Sequence, residues 1–87
     1  MKIHRIYTED INRDKVYSIL DSLFAGYTVI PATGSWQGKR ENSLVIELVD
    51  SDNTLAELVN LAASQIKTAN AQQAVMVTSQ PVEVKFI

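Results

Sequence analysis

Gly34-Ser-Trp-Gln-Gly-Lys-Arg-Glu-Asn-Ser43 runs without a break into Leu44-Val-Ile-Glu-Leu-Val49. The second part has the clearest strand pattern in the chain. Leu44, Ile46 and Leu48 fall on one face, and Val45 and Val49 flank Glu47 on the other. Apolar residues on both faces predict a central strand, covered on both sides by its own chain or by a partner subunit. The first part carries two glycines and predicts the turn that feeds this strand.

Upstream, Tyr27-Thr-Val-Ile-Pro-Ala-Thr33 is rich in β-branched and aromatic residues and predicts the preceding strand. Pro31 has no N–H for a ladder, so it belongs at an edge, a bulge or the strand's exit. Val16, Ile19, Leu20, Leu23 and Phe24 form one helical stripe, with Tyr17 half-buried beside it. Asp10 or Asn12 would cap this helix, and Gly26 would end it. Lys2 to Tyr7 alternates as a first strand, with His4 and Ile6 opposite Ile3, Arg5 and Tyr7. His4 is expected to be solvated or at a sheet edge. Thr8-Glu-Asp-Ile-Asn12 reads as a polar turn.

Downstream, Thr54 and Glu57 make a capping box for a second helix. Leu55, Leu58, Val59, Ala62 and Ile66 are its buried face, and it should stop near Asn70. Ala74 to Thr78 is a fourth strand. Pro81 breaks the run, and Val82, Val84 and Phe86 alternate with Glu83, Lys85 and Ile87 in a short fifth strand. The result is an α+β, ferredoxin-like β-α-β-β-α-β order with an additional C-terminal strand, in one domain over residues 1–87.

Composition limits the function. A chain of 87 residues buries a modest core, so association would help it. With no cysteine and one histidine, no metal site or cofactor is expected. A net charge of −2 argues against nucleic acid, because phosphate binding needs a positive patch. No apolar run reaches membrane-spanning length. The first residues lack the apolar core of a signal peptide, and the lack of cysteine fits the expectation of a cytoplasmic protein.

The turn gathers the candidate chemistry. Gly34 and Gly38 permit close approach of backbone to ligand. Trp36, the only tryptophan, offers a stacking face. Lys39 or Arg40 could meet phosphate or carboxylate. Glu41 could act as acid or base, or accept from a ligand amine or hydroxyl, with Asn42 and Ser43 orienting it. Gln72 and Gln73, after the second helix, could present an amide to a base edge or a backbone group. Spacing alone also fits a plain hairpin tip with solvated charges. The motif precedes no helix, so it is neither a P-loop nor a dinucleotide fingerprint.

Element order, length and the long connection between strands two and three resemble the PII-like family of small trimeric proteins. That resemblance implies a homotrimer with ligand clefts between subunits. Gly34, Trp36, Glu41, the Leu61-Ala-Ala-Ser-Gln-Ile66 helix and Gln73 before Ala74-Val-Met-Val77 also resemble phage S-adenosylmethionine lyases over the last two thirds of the chain. This second resemblance implies trimers that split S-adenosylmethionine to methylthioadenosine and homoserine lactone, with Glu41 contributing to the site. Here a tryptophan replaces those lyases' tyrosine, and the loop before the glutamate is shorter. Three function classes follow: a small-ligand binder, a lyase-like enzyme, and an interaction module anchored by Trp36.

Overall fold

The computed structural model describes all residues, 1–87. Its elements are β1 (Lys2–Glu9), α1 (Arg13–Leu23), β2 (Thr28–Trp36), β3 (Lys39–Asp50), α2 (Ala56–Ala69) and β4 (Met76–Pro81). The strands form one antiparallel sheet in the order β2-β3-β1-β4. β1 and β2 therefore run parallel with β3 between them, which is the split connection expected from the element order.

Alternation along the two central strands decides the layering. His4, Ile6, Thr8, Leu44, Ile46, Leu48 and Asp50 are all buried on one face. Val16, Leu20 and Phe24 of the α1 stripe, and Val59, Ala62, Ala63 and Ile66 of α2, close over Ile6, Ile46 and Leu48 as one core. The small Ala62 and Ala63 let α2 sit close to β1 and β4. Both helices thus cover the same face. β2 is an edge strand, which is where Pro31 is tolerated. No helix is long and apolar enough to cross a membrane.

Several local expectations are corrected. Val82–Ile87 forms no strand. In the β1–β4 register Pro81 already lies opposite Lys2, so β1 has no residues left to pair with the tail. Val82 N–H reaches Met1 O at 3.1 Å, and Phe86 and Ile87 lie exposed beyond it. Gly26 does not end α1; the helix stops at Leu23, and Phe24 turns to extended backbone with its ring docked in the core. Neither Asp10 nor Asn12 caps α1 through its side chain. Asp10 accepts two hydrogen bonds from the Arg13 guanidinium at 2.7 Å, and Asn12 donates to Asn70.

The Thr54–Glu57 capping box is also absent, because another group has taken its place. The Asp50 carboxylate, at the end of β3, accepts from the Thr54 and Leu55 amides at 2.8 and 3.1 Å. It also accepts from His4 Nε2 at 2.8 Å. His4 is therefore not solvated but 2% exposed, with Ser79 Oγ 2.6 Å from its other ring nitrogen. The β1 register that places Ile6 in the core necessarily places His4 beside it, and Asp50 satisfies it there.

This network carries a pH dependence. Burial alone would raise the Asp50 pKa, but hydrogen bonds from His4, Thr54 and Leu55 outweigh it and hold the carboxyl below its ordinary 3.8. The unfolded chain then binds more protons than the folded one. Stability from Asp50 is complete above the ordinary value and is lost as pH falls through the folded value. Denaturant midpoints measured below about pH 4 should fall for the wild type and fall less steeply for Asp50→Asn.

Candidate functional site

The face of the sheet away from the helices carries its own pattern. Cross-strand partners share a face, so Ile30, Val45, Tyr7 and Met76 form one row across all four strands. Ile30 and Met76 are 40% and 55% exposed, leaving the row open. The next row toward one end is polar, where Arg5 Nε donates to Glu47 at 2.7 Å. Toward the other end stand Ala32, Ser43 and Glu9, and then Gly34 and Glu41.

The turn is not a long loop. β2 and β3 continue as paired strands to Trp36 and Lys39, and Gln37 and Gly38 alone close the hairpin. Both have positive φ, 50° and 79°, as the primed two-residue turns require. Gly38 is therefore needed for the turn.

The hairpin arm reaches past the end of β1 and meets the α2–β4 connection. Trp36 Nε1–H and Gln37 Nε2–H both point to Gln73 Oε1, at 3.4 and 3.3 Å. Between arm, sheet and connection lies a cleft of about 640 Å³, within the range of small-molecule sites. Tyr7, Val45 and Met76 contribute its apolar lining, and Trp36, Glu41 and Glu9 its chemistry. Trp36 is 49% exposed, so its ring is available for stacking.

Gly34 matters here for space. A Cβ on it would stand 2.9 Å from Ser43 Oγ, so glycine lets that hydroxyl sit against β2. Gln72 braces the opposite wall. Its Oε1 accepts from Glu9 N–H at 3.1 Å, and its Nε2 donates to Thr8 Oγ1 at 2.6 Å.

Glu41 stands apart electrostatically. Its carboxyl is raised above the ordinary 4.5, first by burial and then by the hydrogen bond and charge of Glu9. A neighbouring carboxylate disfavours the charged form of Glu41. No lysine, arginine or histidine lines the cleft.

Of the residues expected from sequence, Gly34, Trp36, Glu41, Ser43 and Gln73 line this cleft. Gly38, Lys39 and Arg40 do not, so neutralisation of a bound anion by Lys39 or Arg40 is not part of the single-chain cleft. Glu9, expected in the turn Thr8–Asn12, is instead the last residue of β1. The signal was present: Ile3, Arg5, Tyr7 and Glu9 continue one alternation.

No protein-family model matches the chain. No curated protein matches it either. Solved structures do match in fold. A phage S-adenosylmethionine lyase, solved with S-methyl-5′-thioadenosine, superposes with a TM-score of 0.70 at 17% identity, over 91% of this chain and 79% of the lyase. A DUF3240 family protein from Shewanella baltica gives 0.70 at 8% identity, covering 99% of this chain and 93% of that one. CPII, a nitrogen regulatory PII-like protein from Thiomonas intermedia bound to ADP, AMP and bicarbonate, gives 0.68 at 17% identity, with coverage of 99% and 93%. The chain has the ferredoxin-like fold of PII-like proteins, and it resembles the phage lyase in the same fold.

Proposed function

We propose that this protein binds a small adenosine-type ligand in the cleft beneath Trp36, as a cytoplasmic PII-like homotrimer whose neighbouring subunit completes the site. The observation that carries this reading is the convergence of Trp36, Glu41, Ser43 and Gln73 on one cleft of ligand size. Trp36 stacks on the base. Ser43 and Gln73 supply hydrogen bonds, and Gly34 leaves room for the Ser43 hydroxyl. The open row Ile30–Val45–Tyr7–Met76 runs directly into the cleft and suits burial against a second copy. The two structural neighbours solved with adenine compounds support the ligand class by analogy of fold.

The charge of the cleft favours a neutral or cationic ligand group over a polyphosphate. Glu9 and Glu41 would repel phosphate and attract a sulfonium, which Trp36 would also hold by its ring face. This favours, as a second reading, lyase-like turnover of S-adenosylmethionine with Glu41 as the acid–base group.

Thermal melts of the wild type with S-adenosylmethionine, methylthioadenosine, AMP and ADP test the binding reading. Stabilisation is expected, largest for the first two, by about 2.7 kcal/mol at a hundredfold excess over Kd. No shift with any of them overturns it. Incubation with S-adenosylmethionine tests the second reading. Methylthioadenosine that appears with wild type and not with Glu41→Gln establishes turnover; its absence leaves a binder. A monomer in light scattering at micromolar concentration removes the neighbour's contribution.

A further inference from the structure

A second polar constellation lies away from the cleft, on the helix-covered face. Asp50 and His4 are 1% and 2% exposed, whereas Ser79, on edge strand β4, is open to solvent. The Thr54 and Leu55 amides hold the Asp50 carboxylate as an acceptor. His4 Nε2 must therefore carry the proton it gives to Asp50 at 2.8 Å. In the neutral imidazole Nδ1 is then bare, and it accepts the Ser79 hydroxyl at 2.6 Å. An oriented base in contact with a hydroxyl, itself held by a third group, is the arrangement that activates a serine.

The ladder supplies a further donor. Val82 N–H to Met1 O marks a hydrogen-bonded pair at the end of β4. Asp10 N–H to Asn42 O marks one at the far end of β1. Counting inward from either end, Ser79 and His4 face each other in a non-hydrogen-bonded pair. The Ser79 N–H then points to the outer edge of β4, where no strand pairs. A backbone donor beside Oγ can receive a developing oxyanion.

We propose that Ser79 is an activated nucleophile that takes the acyl group of a small ester at the open edge of β4. Oγ attacks the carbonyl carbon while its proton passes to His4 Nδ1. The carbonyl π pair moves onto oxygen, beside the Ser79 amide. Collapse expels the alkoxide, which takes the proton from His4. Water then releases the acid through the same base, giving one acid and one alcohol per ester. Asp50 is the positioning residue that imposes the tautomer.

A fluorophosphonate probe reads this directly, since Oγ–P forms as P–F breaks and fluoride leaves. Labelled wild-type protein is digested and mapped, with the exposed Ser18, Ser35 and Ser64 as comparators in the same molecule. Ser79 should label about 100-fold faster than these. His4→Gln, whose amide can still hydrogen-bond but takes no proton, should lose the excess. Asp50→Asn should lose it too, at a temperature where its circular dichroism matches wild type. Labelling of Ser79 no faster than the comparators in wild type overturns the proposal, as does an undiminished excess in His4→Gln.

Discussion

Asp50→Ala lowers the unfolding free energy by about 3–5 kcal/mol, the cost of removing one partner of a buried polar pair. Asp50 joins three parts of the fold: the end of β3, the start of α2 and the first half of β1. Alanine leaves the His4 ring buried without its acceptor and strips the Thr54 and Leu55 amides of theirs. No second cap exists, because neither Thr54 nor Glu57 caps the helix through its side chain. Against a total stability of roughly 5–15 kcal/mol, such a loss is severe. For a domain of this size it lowers the melting temperature by about 12 °C or more. Calorimetry of the variant beside wild type checks this. Combining Asp50→Ala with His4→Ala should cost less than the sum of the single changes, since both remove the same bond. A melting temperature within a few tenths of a degree of wild type would mean that Asp50 does not hold these elements together.

Trp36→Ala weakens binding of the cleft's ligand by roughly 10- to 100-fold, the usual worth of one aromatic–base stack. The change should leave stability nearly intact. Trp36 lies outside the core and makes one long hydrogen bond, to Gln73. Lys39→Ala and Arg40→Ala, which lie outside the cleft, should leave affinity within about threefold of wild type. Isothermal titration with S-adenosylmethionine across these variants separates the contributions. Equal affinity in wild type and Trp36→Ala would remove the stacking role.

Much of the fold is legible in the sequence because periodicity records burial. The alternation of Leu44, Ile46 and Leu48 places β3 at the centre, and the stripe from Val16 to Phe24 gives α1 its face. Pro31 marks an edge strand for a reason of backbone chemistry alone. The α2 cap is not legible locally because it comes from another element: Asp50 lies four residues before Thr54 and belongs to β3. The pairing of His4 with Asp50 and Ser79 depends on strand register, which no local pattern carries. The same holds for the C-terminal tail. Its alternation is that of a strand, but a strand needs a neighbour, and β1 begins too late to provide one. Trp36, Glu41, Ser43 and Gln73 stand out in the sequence by residue type, and they line one cleft; their part in binding is the proposal. Lys39 and Arg40 stand out by charge but do not line the cleft of a single chain, and alternation along β3 puts Arg40 on the face opposite Glu41. Glu9 enters only once β1 is seen to extend beyond Tyr7.

The central claim is that the space beneath Trp36 holds the ligand. Trp36 is the chain's sole tryptophan, so emission excited beyond tyrosine absorption reports on that place alone. In a titration of the wild type with S-adenosylmethionine, methylthioadenosine, AMP and ADP, a saturable change in tryptophan emission is expected, with tighter half-saturation for the first two. Unchanged emission at saturating levels of a ligand that calorimetry shows to bind would put the site elsewhere and contradict the account.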